Sequence, residues 1–474
     1  MRLAVPALAL VAAFSLCRAE DAKDLPTQRA EAIEKGIAYL KKVQASDGSW
    51  DDTMMPFGGL GHMKPGTTAL GALALLKSGV APDDPCIKKA FEFIVAGKLE
   101  HTYDVGCILM ALEARFNWEQ PHLDDAPGTQ TVERKTPAGK KIKMTPADLE
   151  LAQKCVEFLK TKQGPVGWTY PPAANGFRED VSNTQYALLG LDAAERLGVE
   201  VPKEVYVKAQ ELLVANQEKD GPEVSAFPVP GADMSYKELK KIEKDTKDAI
   251  KKIEGAFKGK KQGDTNAAGH TEEDERRSTE EDAAKKVFKT SEKAKAMKAR
   301  GWGYAFTPDK SNGMPPAGDA KPTGAMTTAG LACLFICKAH LDGSKEYEKN
   351  LKAPIDHALR DGAAWMAKNF SVTQNPAGRM HLLYYLYGLE RAGVLLLVPK
   401  FGEHDWYDEG TREILKTQKT DGNWDAGGQG TAGPMTDTCF ALLFLARGTT
   451  PIVRIPTRTA TGVGGDSPKP DAGK

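Results

Sequence analysis

A short segment recurs along this chain, and this repetition constrains the fold more than any other feature of the sequence. It occupies residues 44–50 and 418–424, and in both copies a glutamine precedes a tryptophan by six residues, with Asp-Gly between them. Shorter relatives lie at 158–168 and 212–221. Internal repetition is typical of folds whose units are stable only when stacked on their neighbours.

Each copy predicts a pair of helices. The repeated segment marks the end of an amphipathic helix that stops at glycine, and a more apolar helix follows it, which must be buried on most sides. The amphipathic helices are predicted at 29–44, 86–96, 146–163, 203–217, 355–370 and 406–418. Their apolar partners are predicted at 66–78, 102–116, 182–197, 324–340, 381–393 and 436–447. The chain is therefore predicted to be all-α, with six helix pairs.

Four segments fall outside the paired helices of the body, 20–448. Residues 1–19 carry a basic start, an apolar stretch and Cys17-Arg18-Ala19, which predicts a secretory signal peptide. Residues 121–146 predict a hairpin-like loop, and 449–474 predict a disordered tail. In 231–300, 34 of 70 residues are charged, which predicts a solvated insert with helices at 236–257 and 279–298, or alternatively a partner-binding arm.

Composition narrows the classes of function. The 64 basic and 64 acidic residues balance, so no global field favours nucleic acid, and a mean hydropathy of −0.42 excludes a multi-span membrane protein. No stable membrane span is expected after signal cleavage. Six cysteines would remain, mostly in apolar helical patterns, which favours packing in the core. Whether any form disulfides stays open, and no spacing indicates a structural zinc site.

The Gln-x2-Asp-Gly-x-Trp elements at 44–50 and 418–424 resemble the QW repeats of squalene-hopene and oxidosqualene cyclases and of prenyltransferase β-subunits. The chain most resembles uncharacterised secreted bacterial proteins that carry the prenyltransferase and squalene oxidase repeat. The resemblance covers most of 29–447 outside the charged insert. It implies an α/α toroid, in which six inner helices surround a central cavity and six outer helices enclose them. The six predicted pairs agree with closure of such a ring.

The catalytic motifs of these families are incomplete in this sequence. Hopene cyclases protonate their substrate with the middle aspartate of Asp-x-Asp-Asp-Thr-Ala, and the nearest match starts at Asp180 but has Ser182 in that position. Prenyltransferase β-subunits bind zinc through Asp-x-Cys and a later histidine. Asp437 and Cys439 match the pair, but no histidine follows, because the last one is His404. No metal site and no cofactor are therefore predicted.

The toroid would bring the N-termini of the inner helices together at one mouth of the cavity. The polar candidates there are Asp104, Asp180, Asn183, Thr184, Thr328, His381 and Asp437. The candidates on neighbouring loops are Trp168, Tyr170, Trp302, Tyr304, His404, Asp405 and Trp406. Helix capping and packing of repeat against repeat are the alternative roles for these two sets.

The intact repeats and incomplete catalytic motifs predict an exported binding or scaffold module of the cell envelope. Its partner would be a small molecule, a lipid, a glycan or an envelope protein. The alternative is an enzyme that uses the central cavity on isoprenoid-like lipids or glycans. A pocket lined by aromatic side chains would favour a lipid, and a cleft lined by carboxylates would favour a glycan.

Overall fold

A computed structural model describes residues 24–51, 63–118, 143–165, 167–170, 179–261, 263–291, 296–304, 321–378, 380–430 and 433–453. The predicted signal peptide, nearly all of the predicted hairpin-like loop and the predicted tail beyond 453 lie outside these residues. The first residues assigned to that tail belong to the folded body, since Thr449 donates to Glu390 and Val453 is buried.

The described residues form fifteen α-helices and one pair of short strands. The helices are α1 (Leu25–Val43), α2 (Lys64–Lys77), α3 (Pro85–Ala96), α4 (Thr102–Phe116), α5 (Pro146–Lys162), α6 (Val181–Arg196), α7 (Lys203–Asn216), α8 (Pro230–Asp233), α9 (Tyr236–Phe257), α10 (Glu272–Ser291), α11 (Gly324–Leu341), α12 (Lys352–Lys368), α13 (Leu382–Leu395), α14 (Trp406–Thr417) and α15 (Pro434–Leu445). All twelve helices of the predicted pairs are present.

The apolar helices form a closed ring. Helix α2 packs on α4, α4 on α6, α6 on α11, α11 on α13, α13 on α15, and α15 packs back on α2. The amphipathic helices lie outside them, and α1 contacts both α14 and α15, which joins the two ends of the chain. The prediction of an all-α toroid with two concentric rings is confirmed.

The repeated tryptophan joins an outer helix to the inner helix that follows it. The Trp50 indole Nε1 donates to the Leu40 carbonyl at 2.8 Å, in the last turn of α1. The Trp50 backbone N–H donates to Thr68 Oγ1 on α2 at 3.1 Å. Trp168, Trp302 and Trp424 repeat both bonds, with Leu159 and Thr184, Leu213 and Thr327, and Ile414 and Thr438. Each tryptophan is fully buried, so both of its N–H groups need these partners.

In four places a repeated glutamine joins one outer helix to the next outer helix. Gln44 directly follows α1, and its Nε2 donates to the Gly48 carbonyl in its own loop and to the Cys86 carbonyl in α3, both at 2.9 Å. Gln163, Gln217 and Gln418 reach Val205, Ala358 and Ala32 in the same way. The bond from Gln418 to α1 closes the outer ring.

The repeated glycine is required by its backbone conformation and its surroundings. Gly48 has φ +86°, and a Cβ there would lie 2.4 Å from the Lys89 carbonyl oxygen in α3. Gly422 has φ +93° and is equally close to Lys35 in α1. The outer helices end one residue before the glutamine, so this glycine shapes the loop and does not terminate the helix.

The charged insert interrupts the third copy of the repeat, which belongs to the fourth helix pair. Gln217 and Gly221 begin that copy, and Trp302 completes it some eighty residues later. The two ends of the insert are held together by β1 (Glu223–Val224) and β2 (Met297–Lys298), which pair antiparallel with Glu223 opposite Lys298. The inserted residues therefore leave the paired helices unchanged.

The insert is docked on the ring by buried residues at its base. Gly231 N–H donates to the Leu396 carbonyl at 2.9 Å, just beyond α13. Asp233 accepts from Arg360 Nε on α12 at 2.8 Å and from Ser291 Oγ at 2.7 Å. Lys338 on α11 donates to the Ala232 carbonyl at 3.2 Å. The prediction of a solvated insert applies to the outer parts of α9 and α10, and not to the residues at their base.

The second helix of the insert begins earlier than predicted. It spans Glu272–Ser291 instead of 279–298, because Thr271 and Asp274 form a reciprocal cap. The predicted helix at 236–257 matches α9.

One apolar helix and the cysteines of the body are buried. Helix Gly324–Leu341 is long and apolar enough to cross a membrane, but 89% of its residues are buried within the ring. Among the described residues, Cys86, Cys107, Cys155, Cys333, Cys337 and Cys439 are all buried and form no disulfide bond, as expected for packing in the core.

Replacing the closing glutamine should destabilise the ring. Gln418→Leu removes the donor to the Ala32 and Gly422 carbonyls, so we expect a loss of about 1–2 kcal/mol, measured from the midpoint of urea unfolding. The matched control is Gln153→Leu on the exposed face of α5, expected to stay within about 0.5 kcal/mol of the parent. Equal effects of the two substitutions would show that the glutamine does not join the helices.

Candidate functional site

A chain of hydrogen-bonded hydroxyl groups lies inside the ring, near the start of the inner helices. Tyr103 OH on α4 donates to Ser182 Oγ on α6 at 2.6 Å, and Ser182 Oγ lies 2.7 Å from Tyr384 OH on α13. The Gln185 side-chain amide lies 2.9 Å from Tyr384 OH. Ser182 thus stands at the centre of this network, in the position where the resemblance would place a catalytic acid.

Aromatic side chains from four inner helices meet across the axis of the ring. The Tyr103 and Tyr186 rings lie 4.7 Å apart, and the Tyr186 and Tyr384 rings lie 6.4 Å apart. Tyr384 in turn packs against Phe440 on α15 at 5.6 Å. Among the described residues, these side chains pack across the axis of the ring at this level.

Burial keeps these phenols protonated. Loss of solvation raises the pKa of Tyr103 and Tyr384 above the ordinary value, and raises the pKa of Tyr387 to about 12. The cluster is therefore a neutral hydrogen-bonding network at physiological pH, and none of its hydroxyls is acidic enough to protonate a carbon–carbon double bond.

Arg391 extends this network toward the other end of the ring. With the Gln185 amide nitrogen facing Tyr384, the Gln185 oxygen accepts from Arg391 Nη2 at 2.6 Å. The guanidinium lies 4.0 Å from the centre of the Tyr387 ring. Arg391 is only 1% exposed, and it lines a small axial cavity of about 40 Å³.

The predicted site residues at the start of α6 are near the hydroxyl cluster. Asp180 caps this helix: its Oδ1 accepts from Asn183 N–H at 2.7 Å, and its Oδ2 accepts from Asn183 Nδ2 at 2.8 Å. Burial raises the pKa of Asp180 to about 7. Thr184 binds the Trp168 backbone and belongs to the repeat contacts. Capping accounts for the observed contacts of Asp180.

Two predicted tyrosines lie at the edge of the same cluster. Tyr170 packs against Tyr103 with ring centres 5.7 Å apart, and Tyr304 OH lies 3.4 Å from Tyr170 OH. Tyr304 is 36% exposed, so this edge reaches solvent. The predicted tryptophans Trp168 and Trp302 are instead buried between helices by the repeat contacts described above.

The remaining polar candidates on inner helices lie apart at helix contacts. Asp104 Oδ2 lies 2.9 Å from His101 Nδ1, and burial raises the pKa of this carboxyl. Asp437 Oδ2 accepts from the Ala426 backbone at 3.0 Å. Thr328 Oγ1 donates to the Ala325 carbonyl within α11. Asp104, Asp437 and Thr328 therefore make local contacts that stabilise loops and the ends of helices.

His381 is the candidate with the most unusual environment. It precedes α13 with φ +68°, a left-handed conformation that is uncommon for a residue with a side chain. Its ring meets the Tyr384 ring edge-on at 6.4 Å, and its Nδ1 is buried without a hydrogen-bond partner. Burial lowers the pKa of His381, which favours the neutral form. Nothing in the sequence signals this conformation.

His404, Asp405 and Trp406 do not lie at the mouth predicted for them. Asp405 caps the outer helix α14 and, with Trp406, lines a groove at the end of the ring where the inner helices finish. His404 stacks on Phe370 with ring centres 4.3 Å apart, between two outer helices. Inner and outer helices run in opposite directions, so the start of α14 is not near the starts of the inner helices.

This groove has a volume of about 1090 Å³. One side is formed by the ring and includes Trp118, Trp406 and Ile452, and the other is helix α9 of the insert. Lys77, Glu113, Arg196 and Thr449 line both this groove and the axial cavity beside Arg391, so the two spaces adjoin.

Sequence reasoning missed Tyr103, Gln185, Arg391 and the groove. A signal existed for Arg391, because Glu390 and Arg391 interrupt an otherwise apolar helix that was predicted to be buried. Within the part of the chain that the structure describes, no three His, Cys, Asp or Glu residues are grouped so that they could hold a metal ion.

No protein-family profile and no curated protein sequence matches the chain. Among solved structures it is similar to a variant of the type II terpene cyclase MstE from Scytonema in complex with geranylgeranyl dihydroxybenzoate (substrate). That match has 11% identity and a TM-score of 0.44, and covers 90% of this chain and 97% of the other. Another MstE variant, in complex with merosterolic acid A (product), matches with 12% identity, coverages of 89% and 97%, and a TM-score of 0.31. At these values the likeness carries no argument about activity, and the ring architecture rests on the helix contacts described above.

The raised pKa of Asp180 predicts a pH-dependent stability. An acid whose pKa is higher in the folded chain binds more protons when folded, so stability falls as the pH rises from about 4 to about 7. The difference between 3.8 and about 7 corresponds to roughly 4 kcal/mol at most. Asp180→Asn should therefore reduce the fall in Tm between pH 5 and pH 8, measured by calorimetry.

The control for this prediction is Asp24→Asn, an exposed helix cap whose pKa is lowered by Thr27. In Asp24→Asn, the Tm should fall between pH 5 and pH 8 by as much as it does in the parent. Glu390, whose pKa burial also raises to about 7, contributes with the same sign, so some decrease remains in Asp180→Asn. An unchanged decrease would mean that Asp180 is ionised in the folded chain.

Proposed function

We propose that this protein is an exported binding module of the cell envelope whose ligand occupies the groove at the end of the ring. One observation carries the proposal: among the described residues, aromatic side chains pack across the axis of the ring, whereas an open space of about 1090 Å³ lies between the ring end and α9. Ligand sites of proteins are concave spaces of about 300–1,000 Å³, and the groove is of this size. Export rests on the signal-like residues 1–19.

The walls of the groove favour an amphipathic ligand. The ring side presents apolar and aromatic groups, among them Trp118, Val398 and Ile452. The α9 side presents Lys240, Lys247 and Lys251 around Ile250. Lys240 and Lys247 both pair with Glu243 at 2.7 Å, which leaves Lys251 as the lysine of this set with no carboxylate partner among the described residues.

The alternative of an enzyme that acts in the ring axis has less support. The hydroxyl cluster is neutral, and Ser182 stands where the cyclase acid would be required. The axial cavity of about 40 Å³ is far smaller than an isoprenoid chain. A binding role in the groove requires none of these groups to react.

A charged substitution in the groove should weaken binding of an amphipathic probe. We expect the full-length exported chain to bind 1-anilinonaphthalene-8-sulfonate saturably, and Ile250→Glu to raise the Kd at least about tenfold, because a carboxylate is poorly accommodated on an apolar wall. Fluorescence titration measures this change. Val95→Glu is the matched control, since Val95 is 55% exposed and lies on the outer helix α3.

Native mass spectrometry of the same preparations gives a second readout. A retained small molecule should be present in the parent and in Val95→Glu, and depleted in Ile250→Glu. Equal probe binding by all three proteins would contradict the proposal that the groove is the ligand site.

A further inference from the structure

The axial cavity beside Arg391 lies where the inner helices converge. Its lining comes from α2, α4, α6, α11 and α13 and from the segment that follows α15. Its volume is about 40 Å³. Since one water molecule needs about 10–15 Å³ on this scale, the cavity has room for roughly three atoms of that size.

All but one of the charged side chains that line the cavity form an ion pair with a side chain of opposite charge. Lys77 Nζ lies 3.3 Å from Glu113 Oε2, and Arg196 Nε lies 3.4 Å from Glu113 Oε1. Arg196 also pairs with Asp192. Two of the three cations are thereby matched by two carboxylates. Arg391 is the remaining one, and the described residues give it no carboxylate within ion-pair distance.

The contacts of Arg391 are with neutral groups. Nη2 and Nε donate to the Gln185 oxygen at 2.6 and 3.3 Å, and the guanidinium stacks on Tyr387. Nη1 is buried with no hydrogen-bond partner. The neighbouring Glu390 forms no ion pair with Arg391 among the described residues, and its carboxylate accepts from the Thr449 N–H at 3.1 Å and from Thr449 Oγ1 at 2.6 Å. A buried cation in this state is costly unless an anion accompanies it.

We propose that Arg391 and this cavity form a site for one small monoanionic group of the size of a carboxylate. A carboxylate has three heavy atoms and accepts hydrogen bonds from a guanidinium in a paired geometry, which suits both the volume and the unpartnered Nη1. A phosphate ester, with five heavy atoms and a second charge, exceeds this space.

The position of the cavity connects this site with the groove. Lys77, Glu113, Arg196 and Thr449 line both spaces, so an anionic end group in the cavity leads directly to an apolar body in the groove. This step rests on the proposed function, and it assigns the class of ligand: an amphipathic monocarboxylate. A free inorganic anion such as chloride shares the chemistry of the cavity, and the test separates the two sources.

The test uses the full-length exported chain with octanoate, octanol and sodium bromide as probes. Octanoate should raise Tm saturably by at least about 2 °C, whereas octanol, which lacks the charge, should not. Bromide that produces the same saturable rise would identify a free inorganic anion as the occupant and exclude the carboxylate ligand. Equal effects of octanoate and octanol would overturn the site.

Two variants locate the effect. Arg391→Met should weaken octanoate binding at least about tenfold, measured by isothermal titration calorimetry, while Arg412→Met, an exposed arginine paired with Asp408, should leave it unchanged. Gln185→Glu is the second variant. It places a carboxylate beside Arg391, so it should abolish octanoate binding while the chain stays folded, even if Arg391→Met does not fold. Unchanged binding by Gln185→Glu would overturn the proposal.

The groove variant separates the failure of this proposal from that of the proposed function. Octanoate binding that is lost in Ile250→Glu but retained in Gln185→Glu supports the groove and contradicts the anion site. The opposite pattern supports the anion site and contradicts the groove as the place of the ligand body.

Discussion

The whole ring depends on the hydrogen bonds of one recurring tryptophan and one recurring glutamine. The indole N–H of Trp50 binds the end of an outer helix, and its backbone N–H binds Thr68 on the next inner helix. Gln44 adds the bond to the next outer helix. The same three bonds at each of the four copies hold an outer helix to its inner partner and to the next outer helix, so a repeated local contact contributes to closure.

Closure determines what the interior of the ring can contain. The inner helices surround one axis, and there Tyr186, Tyr384 and Phe440 pack against one another. Polar groups in such an interior must bind one another, and the bonds from Tyr103 through Ser182 to Gln185 and Arg391 meet this requirement. The network ends at Arg391. Among the described residues, its Nη1 has no hydrogen-bond partner and its positive charge has no carboxylate within ion-pair distance.

The sequence predicted the twelve paired helices because their apolar period and the recurring glutamine both depend on local residues. It did not predict the base of the insert, because a few buried residues such as Gly231 and Asp233 are outweighed by the charges around them. The sequence analysis placed Asp405 and Trp406 at the wrong end of the ring. A sequence indicates where a helix starts, but it does not show which end of the ring that start faces. The left-handed His381 depends on tertiary packing alone.

The insert explains why a large groove lies at the end of the ring. It leaves the body within the third copy of the repeat, β2 and α8 pack on α12, and Gly231 N–H binds the Leu396 carbonyl just beyond α13. Helix α9 then crosses above the point where the inner helices finish, which gives the groove its second wall. Widening the axis would require loss of the tyrosine contacts that hold α4, α6 and α13, whereas a wall added outside the ring alters none of them. A solvated insert with a buried base therefore adds a wall to the groove without altering the core of the ring.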